Sequence, residues 1–151
     1  MYNFKKGFGI LEIILAIAIV VILAAISLPS FERMRQEQVL KTAVADLVSA
    51  VDKAKSQTLS SVNSLEYGVH FESNKIVVFE GNLYSSSDPS NEDMLISSPV
   101  TISDISLTGG ATELYFDKLS GEPSKNGTVT ISNSSISKTI TISPTGAVST
   151  N

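Results

Sequence analysis

Phe8 to Leu28 reads FGILEIILAIAIVVILAAISL, 21 residues with a single charge, Glu12. As a helix rising about 1.5 Å per residue it covers roughly 30 Å, the thickness of a bilayer's hydrocarbon core. Such a segment can cross a membrane. A secretory signal peptide would have a shorter apolar region of about 7–15 residues and a small-residue cleavage site, which here would fall near Ala24, Ala25 or Ser27. Lys5 and Lys6 precede the run and acidic residues follow it, so the basic-side rule puts the N-terminus in the cytoplasm and the remainder outside.

The remainder is about one domain in size, which rules out several catalytic domains. From Ser64 onward there are four lysines, no arginine and ten carboxylates, a balance of −6 that argues against gripping phosphates. The chain has no cysteine, hence neither a disulfide framework nor a thiolate metal site. Glu12 is the costly residue: a carboxylate inside a span costs about 2.5–3.5 kcal/mol on insertion scales and needs either a partner or a route to the interface. No cation lies within helical reach inside the span, and Lys5 and Lys6 lie about two turns back.

Lys5-Lys6-Gly7-Phe8, with Glu12 in the fifth position counted from the phenylalanine, resembles the prepilin signature of type IV pilins and type II secretion pseudopilins. The resemblance implies that a prepilin peptidase cuts after Gly7 and methylates the new amino group of Phe8, leaving the helix in place. It implies a basic leader (1–7), a transmembrane or filament-core helix (8–28), an amphipathic helix continuing into a head (29–61) and an extracytoplasmic β-domain (62–151). Pro29, followed by Phe31, stands where that family has a helix-kinking proline and an aromatic residue. Gly9 departs from the small polar residue usual at its position. The family also supplies a partner for Glu12, the amino terminus of a neighbouring subunit. Two unit charges about 4 Å apart are worth roughly 4 kcal/mol at an effective dielectric near 20, comparable to the cost of placing the carboxylate in lipid. Such a pair serves register more than net stability.

Beyond Pro29 the pattern becomes amphipathic. Leu40, Val44, Leu47, Val51 and Ala54 recur at intervals of three and four, predicting one buried stripe on a helix that runs from about Phe8 to about Ser60, on the order of 80 Å. Proline lacks an N–H and crowds the preceding turn, so Pro29 is expected to kink this helix without ending it. From Leu65 the period is two. A hairpin is expected from Tyr67, Val69 and Phe71 through Glu72-Ser73-Asn74-Lys75 to Ile76–Phe79. Further strands are expected over 94–96, 100–105, 114–116, 128–132 and 136–142, rich in Ile, Val and Thr and parted by Gly, Pro, Asn and Ser. Residues 84–93, YSSSDPSNED, read as an exposed loop. The expected fold class is α+β and pilin-like: a long N-terminal helix on a small antiparallel β-domain.

The stretch from Leu114-Tyr115-Phe116-Asp117 through Gly121 and Gly127–Ile131 to Thr139–Val148 is similar to the end of the GspH/FimT group of minor pseudopilins and minor pilins. That likeness implies a structural subunit of a secretion pseudopilus or pilus at or near the filament tip. Its implied partners are prepilin peptidase, other pilin or pseudopilin subunits, an inner-membrane assembly platform and membrane lipid. FimT-like relatives capture DNA with arginines near the C-terminus; here the tail SPTGAVSTN has no basic residue, so no nucleic acid is expected.

Catalytic chemistry finds no support in the sequence. His70, the one histidine, lies in an alternating strand and reads as a surface or packing residue. Asp88, Asn91, Glu92 and Asp93 lack the spacing and the glycine of a calcium loop, and Asn126-Gly127-Thr128 and Asn133-Ser134-Ser135 read as turn residues. No enzyme activity, cofactor or metal is expected.

Overall fold

The computed structural model describes residues 9–151, except for the side chains of residues 27–30. It divides into two units, the first ending at Arg35 and the second comprising Gln36–Asn151. Helix α1 covers Ile10–Leu59 without a break in its assignment. Its first turn starts from Gly9, whose carbonyl accepts hydrogen bonds from the amides of Glu12 (3.0 Å) and Ile13 (3.3 Å). Leu, Ile and Ala dominate this stretch, and no glycine or proline interrupts it before Pro29, so propensity and pattern agree. The kink expected at Pro29 concerns a side chain outside the described set.

In the second unit the helix buries Leu40, Ala43, Leu47, Ala50, Val51, Ala54 and Thr58. The predicted stripe holds at Leu40, Leu47, Val51 and Ala54; Val44 lies at its margin, and Ala43, Ala50 and Thr58 join it.

Eight strands follow: β1 Tyr67–Glu72, β2 Lys75–Glu80, β3 Glu92–Leu95, β4 Thr101–Leu107, β5 Glu113–Tyr115, β6 Gly127–Ser132, β7 Ser137–Ile142 and β8 Val148–Thr150. They form two antiparallel four-stranded sheets, ordered β3-β2-β1-β5 and β4-β6-β7-β8. The amide of Ile102 donates to the Ser73 carbonyl (2.9 Å) and so ties the β1–β2 turn to the second sheet. Val69, Phe71, Ile76, Val78 and Leu114 from the first sheet join Ile102, Val129, Ile131, Ile140 and Ile142 from the second in one core with the helix stripe. Every second residue points inward, except in β4, where the register shifts between Ile102 and Asp104.

One strand is not anticipated by the sequence pattern, and one expectation needs correction. The tail beyond Gly146 is a strand, β8, pairing Ile142 with Val148 and Ile140 with Thr150; VST has only one strongly apolar residue, and the short partner shows only in register. The loop after β2 is also not simply exposed. Tyr84 folds back onto the outer face of the first sheet, stacking on His70 (ring centroids 3.9 Å) and packing near Phe79 (5.8 Å), and the neighbouring Val77 and Phe79 are buried. The second sheet turns a hydroxyl face outward, with Thr128, Thr130 and Ser132 of β6 opposite Thr141, Thr139 and Ser137 of β7 and a 3.3 Å contact between the Thr130 and Thr139 hydroxyls.

Gly68 is where β1 allows no side chain. A Cβ there would collide with the Phe79 ring and lie 2.5 Å from the Leu114 carbonyl oxygen. Gly68→Ala is therefore expected to lower stability by about 1–3 kcal/mol, the usual cost of overpacking, read as a lower denaturation midpoint with an unchanged slope.

Candidate functional site

Two regions carry what the chain can do. The first is the N-terminal part of α1. Every described side chain from Gly9 to Ile26 is exposed, and the 18-residue window of highest mean hydropathy reaches 3.0. A helix that is apolar all round is one made for lipid or for the interior of an assembly. Among the described residues this is the one helix long and apolar enough to cross a membrane. Glu12 lies in its first turn, near the end where backbone N–H groups are unsatisfied and negative charge is favoured. No hydrogen-bond or ion-pair partner of its carboxylate occurs among the described residues. Lys5, Lys6, Gly7 and Phe8, the residues of the expected leader and cleavage point, lie outside the described set.

The second region is the end of the second unit where α1 stops. The chain leaves the helix through Ser61, Asn63 and Ser64, all at left-handed φ of 50–56°. Thr58, fully buried, donates to the Ala54 carbonyl (2.9 Å) and accepts from the Tyr67 amide (2.9 Å), so one hydroxyl joins the last helical turn to the start of β1. Beside it, the Tyr67 hydroxyl meets Glu80 (3.2 Å), and burial followed by that carboxylate pushes the phenol above its ordinary value. Lys55 reaches the carbonyls of Thr145 (3.0 Å) and Gly146 (3.3 Å), pinning the turn between β7 and β8 to the helix.

Next to the helix end lies the turn Asp117–Gly121. The Asp117 carboxylate accepts from the amides of Leu119 (2.8 Å) and Ser120 (3.1 Å), and Lys118 donates to the Ser64 carbonyl (2.7 Å). Gly121, at φ +66°, leaves room for Leu59, which lies 3.1 Å from the position of a Cβ. Leu119 is thereby held out from the surface, 95 % exposed, and Leu59, Val62 and Leu65 near the helix end are exposed as well. The sequence reading passed over Leu119; the signal was a large apolar residue inside an Asp-x-x-Ser-Gly turn.

The polar clusters elsewhere are ion pairs across the first sheet. His70 Nδ1 faces Glu113 (3.3 Å) directly across the β1–β5 ladder, and Lys75 bridges Glu72 (3.4 Å) and Asp93 (3.1 Å). Lys53 of the helix pairs with Glu92 of β3. Among the described residues, no group of three or more His, Asp or Glu side chains could hold a metal.

One long N-terminal helix and a C-terminal antiparallel β-domain are together the architecture of a pilin-like α+β protein. The chain belongs to the GspH family: the family model described as type II transport protein GspH matches residues 43–146. The match lies entirely in the head and its helix stripe, so it does not draw on the Gly7, Phe8 and Glu12 motif that resembles the wider pilin and pseudopilin family, and it covers most of the 114–148 pattern that resembles the GspH/FimT group. No curated protein and no solved structure matches the chain.

The turn at Asp117 gives a pH prediction. Amide donors from Leu119 and then Ser120 hold the Asp117 carboxyl below the usual carboxylate range. A lowered folded-state value means that the cap is complete above the unfolded value of about 3.9 and is lost as pH falls from there through the folded one. Amide resonances of Leu119 and Ser120 should therefore shift together in that acid window, and Asp117→Ala should produce the same shifts at neutral pH.

Proposed function

We propose that the chain is a pseudopilin subunit of a type II secretion system, made as a precursor and assembled into a filament through its N-terminal helix. The observation that carries the reading is the pairing of a GspH-type head with a helix apolar on all sides from Ile10 to Ile26. A head of this kind needs no catalytic set, and the family is one of structural subunits.

In this reading prepilin peptidase removes residues 1–7 by cutting after Gly7, and Phe8 becomes the methylated N-terminus. Lys5 and Lys6 hold the leader in the cytoplasm, residues 8–28 cross the inner membrane, and 29–61 lead into the extracytoplasmic head, 62–151. Pro29 gives the helix its bend. Glu12 acts after cleavage: its carboxylate meets the amino terminus of the adjacent subunit as the chain moves from lipid into the filament, and the pair sets the stagger between subunits. The assembly platform, lipid and the other pseudopilins are the partners, and a place at or near the tip follows from the minor-subunit group.

Intact mass and N-terminal sequencing of the membrane fraction, from cells with and without prepilin peptidase, test this. A chain beginning at methylated Phe8, lost without the peptidase and in Gly7→Ala, is the expected result; an uncut chain or a cut near Ala25 overturns it. Glu12→Leu is expected to be cut normally and to insert more readily by about 2.5–3.5 kcal/mol, yet to be lost from sheared filaments.

A further inference from the structure

Four strands end the two sheets: β3 and β5 in the first, β4 and β8 in the second. An end strand turns every second amide and carbonyl away from its neighbour, open to pairing with another chain unless something blocks it. Three of the four are blocked. β3 carries the exposed carboxylates Glu92 and Asp93, paired with Lys53 and Lys75. β4 is broken by the register shift between Ile102 and Asp104, and the Ile102 amide is engaged on the Ser73 carbonyl of the first sheet (2.9 Å). β5 is covered by Ser124, whose amide donates to the Tyr115 carbonyl (2.7 Å) and whose hydroxyl accepts from the Tyr115 amide (3.0 Å). β8 has none of these devices. Val148-Ser149-Thr150 is uncharged and regular in register, and among the described residues nothing pairs with its far side. The strand is short, but its ladder with β7 runs on at both ends: the Ser143 amide donates to the Ala147 carbonyl (2.9 Å), and Thr139 and Asn151 exchange two bonds (3.2 and 3.0 Å).

Bonded and unbonded pairs alternate along an antiparallel ladder, so with Ala147 and Asn151 bonded to β7 the amides and carbonyls of Val148 and Thr150 face away from it. We infer that this edge takes an extended segment of a partner protein as a fifth strand of the second sheet. The two faces of the sheet define the segment's chemistry. On the outer face the hydroxyl row Ser106–Thr128–Thr141–Ser149 crosses all four strands, so the residue seated beside Ser149 continues it when small and polar. On the inner face Val148 lies opposite Ile142 and packs against the core, so the residue beside Val148 is apolar. The segment therefore alternates apolar and hydroxyl residues and, like the edge, carries no charge. A second copy is the poorer occupant. Two rigid heads meeting here would touch along three residues, about 10 Å of edge, far short of the roughly 1,200 Å² that a stable interface buries. A flexible segment needs only the free backbone groups and room for its alternate side chains.

The inference concerns the head alone and draws on neither processing nor filament assembly. Its test uses the full-length, unprocessed chain in mild detergent with an excess of a synthetic peptide, Thr-Val-Ser-Ile-Thr-Val-Ser, blocked at both ends. Amide hydrogen exchange read by NMR is expected to slow several-fold at Val148 and Thr150. It should stay unchanged at Asp93, Ile105 and Glu113, which face outward on the other three end strands. Thr150→Pro removes an outward amide while leaving the bonds to β7, and should abolish the slowing at Val148. Thr150→Ala keeps that amide and should preserve the slowing; equal loss in both variants means recognition by the side chain and overturns strand addition. Should Thr150→Pro also release the Ser149 and Asn151 amides, the peptide supplies the control. N-methylation of alternate residues along one of its edges should abolish the slowing and along the other spare it, and the same effect from both edges overturns the inference. So does an absence of slowing, or equal slowing on all four end strands. Slowing that needs no peptide and grows with protein concentration puts a second copy on the edge and overturns the assigned partner. Failure here leaves the secretion reading standing, and an uncut leader leaves this edge as it is.

Discussion

The head depends on one helical stripe. Leu40, Ala43, Leu47, Ala50, Val51 and Ala54 lie between residues of both sheets, and neither sheet alone has a second layer on which to bury its inner face. Burial of each large aliphatic side chain supplies about 1.5–3 kcal/mol. The polar joints serve this packing: Thr58 fixes where the helix ends and β1 begins, Lys55 holds the β7–β8 turn, and Lys53 ties the helix to β3. A helix fastened at these points fixes the placing of the head's strands relative to its own turns.

The two parts of α1 answer to different solvents. Through Ile26 the helix is apolar on every side, which suits an environment where backbone groups must be satisfied internally. From Leu40 it is apolar on one side only, the pattern of a helix packed on a domain in water. The family match begins at Ala43, within the amphipathic part. The residues that define the head thus differ from those on which assembly would depend, and the two sets can vary separately.

Most of the architecture was legible because its signals are periodic. The helix could be read from the 21-residue apolar run and the three-and-four spacing after it, and the β1–β2 hairpin from Tyr67, Val69 and Phe71 alternating up to a polar turn. What escaped the sequence depends on partners far along the chain. The strand β8 has a weak apolar pattern and exists because β7 offers it an edge; Tyr84 sits in a polar loop and turns inward because His70 and Phe79 lie beneath it. Leu119 escaped for the opposite reason. Pattern reading takes an isolated apolar residue for core, and only the fold shows that Asp117 and Gly121 hold it outward.

The hydroxyl face of β6 and β7 has a consequence for the surface of the head. Across the first sheet the outer contacts join His70 with Glu113 and Lys75 with Glu72 and Asp93, and the lysine pairs weaken as ionic strength rises. Threonine and serine hydroxyls carry no charge to screen, so the paired rows Thr128–Thr141, Thr130–Thr139 and Ser132–Ser137 lack that dependence. Asp104 of β4, opposite Thr130, is exposed beside these rows, so the salt dependence of this face is smaller than that of the first sheet but not absent.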